Sequence, residues 1–561
     1  MFYQRNLASL APSSKLAAPH RQSVFWPGLI FLVLLDSFGC GAGDQKPVDG
    51  GALGDVPLYR DGSVGGDGRM DVVGLQDSRG ADASCPPVVA PGTCEAVAGG
   101  TCYYVDPVAG DDSFPGTYGE PWRTFVNINK SIYAQYRPAG WVELQPGDVL
   151  YLMGGVHDAI YHPGDDSGPQ GGGNYVVYMR QLHGEQGAPI TIKGYPGMHP
   201  VLDPGGQGIG VFVSQSENVL LEGLEIRNAY SRGVRLSETA GIVARRLLVW
   251  GTDGPHDDNV SGLEVLGCQQ VEIEHSVFHD NFDRSPDLEG TQVENGCNIH
   301  LFSASDVVIH HSIFYQSGDP SSPYSGCGVK FKHASRDLDA SFEVYACYFE
   351  NHRGYALGTG TAHSSIHHNI FVGGPVALRS RDFGGRTHQW DQQFFFNTIY
   401  GAGGFYMTPT LNWVDDEGGA WPDVTDIAFY GNIVVDNAES YDGERRTVLL
   451  DAYMSDELYL QLRPNISFAS NCYYNPNLAV SFGFAEAGNY GELGGVYSLQ
   501  EWQAEYGYDM DSVEEDPGLE DPQHMNFHPA ADGPCSDMGA LTDGLEPPLD
   551  KNFVFACEDA S

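Results

Sequence analysis

The sequence predicts an all-β fold, a solenoid whose short strands stack coil upon coil in parallel, and three observations predict it. The stretch from Ser261 to Gly374 repeats itself: SGLEVLGCQQVEIEHSVFHDN, GCNIHLFSASDVVIHHSIFYQSG, GCGVKFKHASRDLDASFEVYACYFENH and GYALGTGTAHSSIHHNIFVGG each read as strand, turn, strand. Within these units apolar residues fall at alternate positions, the period of a strand with one buried face. The chain of 561 residues is 41% hydrophobic and holds 72 glycines and 34 prolines, enough apolar material for a large core and a turn-rich composition below the level of general disorder.

The repeat extends beyond that stretch. Ile190–Pro196 and Asn218–Ile226 read as early strands, and a matched position in the second strand recurs at Gly223, Arg246, Ser276, Ser312, Cys347, Asn369, Asn397 and Asn432, at spacings of 22 to 36 residues. A constant core with variable excess is expected of coils whose loops differ in length. Asn369, Asn397 and Asn432 would form an asparagine ladder at a turn. His275, His310, His311, His367 and His368 recur just before the matched position, so stacking at the turn explains them without a metal. Val424–Val435 and Ile466–Tyr474 read as later coils.

The N-terminus reads as an export signal: Arg5, Lys15 and Arg21, an apolar run from Val24 to Leu35, then Ser37-Phe38-Gly39-Cys40. It resembles a bacterial lipoprotein signal, which implies lipidation of Cys40 and a location at the outer membrane or cell surface; a plain secretory signal or an uncleaved anchor is the alternative. The run is about twelve residues, short of the roughly twenty a spanning helix needs, so the membrane is met through the lipid alone. The organisation is then a leader at 1–40, a Gly/Asp-rich disordered linker at 41–100, the solenoid at 101–475 and a closing segment at 476–561. A single chain, a monomer, satisfies this plan.

Of the 11 cysteines, ten remain after Cys40, and export would allow them to oxidise. Cys297 and Cys327 each stand two residues before a matched inward position. Coils stacked about 4.8 Å apart put them within disulfide range, with two buried thiols as the alternative.

CYYVDPVAGDDSFPGTYGEPW from Cys102, an amphipathic helix over Thr124–Tyr136, PGDVLYLMGGVH from Pro146, and DPGLEDPQHMNFHPAADGPCSDMGA from Asp516 together resemble the flanks of the pectate-lyase-like right-handed parallel β-helix proteins. The resemblance implies a single-stranded right-handed parallel β-helix with an N-terminal cap helix, and it covers roughly Cys102 to Ala540. An end cap is expected, because an open solenoid leaves an unpaired strand edge.

A net charge of −45 excludes nucleic acid, which needs a basic footprint, and would repel an acidic polymer unless a groove is locally basic. Alternation supplies such a groove. With Val234, Leu263, Ile299, Val329, Tyr355 and Phe405 inward, the outward residues are Arg235, Glu264, His300, Lys330, Ala356 and Tyr406, with Lys332, Arg379 and Arg381 on the same face. A uronate polysaccharide suits that face. A lyase must neutralise the uronate carboxylate, remove the adjacent proton and protonate the leaving oxygen, tasks for cations and for Lys, His or Tyr. Lys330, beside Lys332 and Arg379, is the candidate base, because neighbouring positive charge disfavours its protonated form. His300 completes the catalytic set, while Glu264, Arg381 and Tyr406 are candidates for substrate binding.

Gly328-Val-Lys330-Phe-Lys-His-Ala-Ser resembles the lysine coil of the β-helix lyases that include chondroitinase B and alginate lyases. In that family the next coil supplies an arginine; here it reads Tyr355-Ala-Leu-Gly-Thr-Gly360, and Arg379 lies a coil further on. A hydrolase would need paired carboxylates. Asp257, Asp258, Asp280, Asp283, Asp287 and Glu289 provide acids, and Asp280, Asp283 and Asp287 are candidate ligands for Ca²⁺. Trp250, Phe282, Phe302, Trp390, Tyr406 and Trp413 are candidate sugar-stacking rings. A non-catalytic glycan-binding or adhesion protein using the same face is the second functional expectation.

Overall fold

The computed structural model describes residues 90–97, 99–130, 134–162, 174–254, 259–282, 296–317, 326–332, 341–381, 389–408, 424–435, 447–450, 463–485 and 493–540. All of them belong to one compact unit, Gly74–Ser561. Cys40, Cys85, Cys557, Asp257, Asp258, Asp283, Asp287, Glu289 and Trp413 lie outside the described residues. No described helix is long and apolar enough to cross a membrane.

The described strands form two sheets, of 22 and 12 strands. Successive coils pair in parallel and in register, which makes the chain a β-helix with the right-handed sense that parallel crossovers take. The smaller sheet carries one strand per coil: β1 (Tyr175–Arg180), β2 (Ile209–Ser214), β3 (Arg232–Ser237), β4 (Ser261–Leu266), β5 (Cys297–Phe302), β6 (Cys327–Lys332), β7 (Tyr355–Thr359), β8 (Leu378–Arg381), β9 (Phe405–Thr408), β10 (Val448–Leu450), β11 (Phe482–Ala485) and β12 (Leu493–Tyr497). β12 pairs antiparallel with β11 and ends the stack.

The larger sheet holds two strand segments per coil, joined at a bend. Glu217–Arg227 and Ala240–Trp250 run through it unbroken, whereas Gln269–Glu274 and Val277–His279, or Ser305–His310 and Ile313–Tyr315, are separated there. Each bend uses one residue at positive φ: Gly223, Arg246, His275, His311, Ala346, His368, Phe396, Gly431 and Ser470. The residue that follows faces inward, and there the matched position corrects the sequence reading. Leu224 and Leu247, not Gly223 and Arg246, align with Ser276 and the asparagines. Gly223 and Arg246 align instead with the left-handed residues of the later coils, His275, His311 and His368 among them.

The asparagine ladder forms and is longer than the sequence suggested. Asn369 Nδ2 donates to Asn397 Oδ1 at 3.1 Å, Asn397 Nδ2 to Asn432 Oδ1 at 3.1 Å, and Asn432 Nδ2 to Asn471 Oδ1 at 3.1 Å. Each side-chain oxygen also accepts the backbone N–H of the residue below, as Asn432 Oδ1 does from Asn397 N at 2.9 Å. The ladder ends on Asp509, whose Oδ1 accepts from Asn471 Nδ2 at 2.9 Å and from Ser512 Oγ at 2.6 Å. On the outer side of the same bend His310, Tyr345, His367, Phe395 and Tyr430 stack ring on ring, with centroids 4.7 to 5.3 Å apart. His275 stacks on His311 at 5.1 Å.

The expected helix over Thr124–Tyr136 is corrected. Its described residues form turns around Phe125–Asn129 and a short 3-10 turn at Ala134–Tyr136. Asn129 explains the change: its Oδ1 accepts from Tyr178 N at 2.8 Å, its Nδ2 donates to Val176 O, and Lys130 N donates to Tyr178 O. The segment thereby covers the free edge of β1 directly. At the other end the α-helix α1 (Leu499–Tyr506), opened by a Ser498–Glu501 capping box, places Trp502 over Phe468 and Phe482. Disulfides join Cys94 to Cys102, Cys297 to Cys327 and Cys472 to Cys535; Cys268 and Cys347 are buried thiols.

Replacing Asn432 with alanine leaves Asn397 N, Asn397 Nδ2 and the carbonyl of Phe394 without their buried partner. The expected loss is ~3 kcal/mol, read from the denaturant midpoint; a loss below ~1 kcal/mol would show that the ladder is ornamental.

Burial pushes the Asp509 carboxyl up to about 6 from 3.8. The folded state therefore holds this proton more tightly than the unfolded state, so the contribution of Asp509 favours folding at low pH and is lost as pH rises from about 4 to about 6. Asp509→Asn mimics the protonated form, and its melting temperature should gain on wild type across that window. A constant difference between pH 4 and pH 7 contradicts this.

Candidate functional site

The outward column of the smaller sheet is fixed by register. Arg235 pairs with Glu264, Glu264 with His300, His300 with Lys330, Lys330 with Gly358, Gly358 with Arg379, and Arg379 with Tyr406. A neighbouring column holds Phe302 and Lys332, with Arg381 two coils on. The candidates His300, Lys330, Lys332, Glu264, Arg379, Arg381 and Tyr406 thus share one face, as alternation predicts.

Two residues of that reading are corrected. Ala356 is not the outward residue of its coil; Gly358 is, since Val329 pairs with Leu357 and Lys330 with Gly358. Tyr355 does not face the core but belongs to an outer cluster with Cys297, Cys327, Val376 and Tyr406. The cause is a break in alternation at the start of these strands. The second residue of each points to the interior together with the third: Ala356 and Leu357 both join the main core, and a Cβ on Gly328 would meet Phe349 and His352.

Tyr355 then stands between two cations. Lys330 Nζ lies 5.8 Å from its ring centroid and Arg379 Cζ lies 5.4 Å from it. Both can reach one ring because Gly358, between them in the column, has no side chain. Lys332 Nζ lies 4.8 Å over the Phe302 ring and donates to Asn259 Oδ1 at 2.7 Å.

Glu264 is held by two guanidinium groups, accepting from Arg232 Nε at 2.7 Å and lying 2.8 Å from Arg235 Nε. Arg232, which also contacts the Ser231 hydroxyl, is a site residue that the sequence reading passed over, because it opens its strand instead of standing in the outward column. Across β3 to β8 the basic residues are Arg232, Arg235, Lys330, Lys332, Arg379 and Arg381, and Glu264 is the one carboxylate. In a chain of net charge −45 this face is locally cationic.

His300 is completely buried, and among the described residues neither ring nitrogen has a hydrogen-bond partner. Burial, then the charges of Lys332, Lys330 and Arg232, hold its pKa well below 6.5, so the ring is neutral.

The remaining expectations separate from this face. Asp280 pairs with His279 at 2.7 Å, and its proposed Ca²⁺ partners Asp283 and Asp287 lie outside the described residues. Trp250 stacks on His279 at 5.7 Å, in the other sheet, and Trp390 Nε1 donates to His363 Nε2 at 3.3 Å. Glu272, Glu274 and His310 form a group with metal-ligating atoms, but His310 Nε2 already pairs with Glu272 at 3.1 Å.

Residues 204–371 match the family model for a right handed beta helix region. With the stacked sheets and the turn ladder, this defines the chain as a right-handed parallel β-helix protein. No curated protein matches the chain. Among solved structures, an alginate lyase from Paenibacillus sp. str. FPU-7 is similar at 14% identity, over 62% of this chain and 91% of that one, with a TM-score of 0.28. A pectate lyase aligns at 14% identity over 64% of this chain and 82% of its own, with a TM-score of 0.34. PfbA, a surface adhesin of Streptococcus pneumoniae, aligns at 11% identity over 61% and 77%, also with a TM-score of 0.34. Likeness at this level concerns the fold; it assigns no activity to this chain.

The depressed pKa of His300 sets a pH dependence. The unfolded chain takes up a proton near pH 6.5 that the folded chain does not, so stability falls as pH drops below that value. A His300→Gln variant lacks this term: from pH 7 to pH 5 wild type should lose more stability than the variant. Parallel profiles would show that His300 titrates in the fold as it does in the unfolded chain, against its burial.

Proposed function

We propose that this face takes an acidic polysaccharide, and most concretely that the protein is a uronate lyase acting by β-elimination. The observation that supports it is Tyr355 set between Lys330 and Arg379, on a cationic face of an otherwise acidic chain. A uronate carboxylate meeting Arg379 and Lys332 would have its charge neutralised, which acidifies the adjacent C–H. Lys330 takes that proton as the base, and the phenol of Tyr355, whose ring lies beside Lys330, protonates the leaving glycosidic oxygen. Glu264, fixed by Arg232 and Arg235, holds those arginines in place along the groove. Anchoring through Cys40 at the cell surface fits a polymer met outside the cell.

Unsaturated uronate products absorb in the ultraviolet, so alginate, pectate and glycosaminoglycans are each tested with and without added Ca²⁺. Product is expected from at least one polymer, with Lys330→Ala reducing the rate by about 100-fold or more. Full activity in Lys330→Ala rejects the base assignment.

A second reading, a glycan-binding or adhesion protein without catalysis, is favoured by one observation: Lys330 is 3% and His300 0% exposed. Polymer binding with no product on any substrate decides for it.

A further inference from the structure

The start of β5 and β6 carries a chemistry that this reading does not use. Cys297 and Cys327 pair in register on adjacent coils, with Cα atoms 4.4 Å apart. One atom from each of Cys297, His300 and Cys327, two Sγ and a ring nitrogen, lie within 4.8 Å of one another, and all three residues are buried. The disulfide consumes both sulfurs. The imidazole is left with two buried nitrogens that no described residue satisfies, an arrangement native proteins rarely keep without a ligand to explain it.

We propose that opening the Cys297–Cys327 disulfide converts Cys297, Cys327 and His300 into a three-coordinate site for a monovalent thiophilic cation, Cu⁺. Two thiolates and one imidazole are soft donors that select Cu⁺ and Zn²⁺ over hard cations. The charge of the surroundings and the donor number choose between those two. Two thiolates with Cu⁺ make an assembly of charge −1, and Lys330, Lys332 and Arg232, the cations acting on His300, favour an anionic assembly there. Structural Zn²⁺ is almost always four-coordinate, and this group offers three donors.

The chemistry balances with a dithiol reductant. The reductant's two thiols supply two electrons and two protons and close into their own disulfide, while Cys297 and Cys327 become thiols. Cu⁺ then displaces both thiol protons and takes the lone pair of one His300 nitrogen. Disulfide and metal use the same sulfurs, so the two states exclude each other and the site is redox-gated. This inference is independent of the lyase reading, which is tested on the oxidised chain.

The test uses the full chain, reduced anaerobically with a dithiol, desalted and titrated with Cu⁺ against a chromophoric Cu⁺ chelator. The reduced protein should take up one equivalent more than the equally reduced Cys297→Ser variant, which keeps the sulfurs of Cys94, Cys102, Cys472, Cys535, Cys268 and Cys347, the oxidised protein should lack that extra equivalent, and Cys297 and Cys327 of the loaded wild type should resist alkylation. His300→Ala should weaken retention by about tenfold or more while leaving both thiols titratable, since losing a ligand costs at least as much as losing an outer-shell partner. The oxidised wild type serves as a control that needs no substitution. No capture by the reduced chain, equal capture by Cys297→Ser, or equal affinity in His300→Ala overturns the site. Capture of Zn²⁺ with Cu⁺ left on the chelator overturns the choice of ion.

Discussion

Parallel pairing in register is the constraint on which the rest of this molecule depends. Every residue sits about 4.8 Å above its equivalent in the previous coil, so whatever one coil presents, the next must tolerate at contact distance. Amides and rings gain from this, and the ladder from Asn369 to Asn471 and the stack from His310 to Tyr430 exploit it. Charges do not. Glu264 is interposed beside Arg232 and Arg235, and Gly358 opens a gap between Lys330 and Arg379 that Tyr355 occupies from the side. A cationic column along one face is therefore costly to build, which is why its presence is informative.

The same constraint governs the ends. A ladder has to stop, and at its last rung an amide nitrogen needs an acceptor that belongs to no further coil. Asp509 supplies it, with Tyr473 and Ser512 sharing the carboxylate. Beyond it the chain runs back across its own coils: Cys535 bonds to Cys472, Gly539 N donates to Gly431 O, and Ala540 N donates to Thr398 Oγ1. At the opposite end Asn129 and Lys130 take up the groups on the edge of β1. The chain thus meets the edge of β1 and the last rung of the ladder with its own residues, the places an open solenoid would leave unpaired.

The fold was legible because its two signals are local: alternation within a strand and recurrence between coils. Ile299, Val329 and the asparagines could be placed from spacing alone. The reading failed where local geometry departs from those periods. At Gly223 and Arg246 the inward position is filled by leucine, Leu224 and Leu247, so no small or polar residue marks it and the count slips by one. At Tyr355 two successive residues turn inward, and strict alternation puts the tyrosine on the wrong side. At Asn129 an amphipathic pattern suggests a helix, but an amide side chain that mimics a backbone strand decides otherwise. The outward column of the site followed from alternation; its partners across columns, Arg232 for Glu264 and Asn259 for Lys332, did not, because nothing in the sequence measures lateral distance.

The bend has a consequence for how this chain can change. From Asn369 to Asn471 each coil contributes at its bend one left-handed residue, one inward asparagine and one strand on either side, and the ladder bonds each asparagine to the coils above and below. A duplicated coil can be spliced in by joining Asn to Asn, which keeps the ladder's own hydrogen bonds and lengthens the column on the outer face by one residue. A single inserted residue within a strand, by contrast, would turn every following side chain in that coil to the opposite face. The lineage of such a molecule is free to vary in whole turns and in its loops, and its outer face grows in steps of one rung.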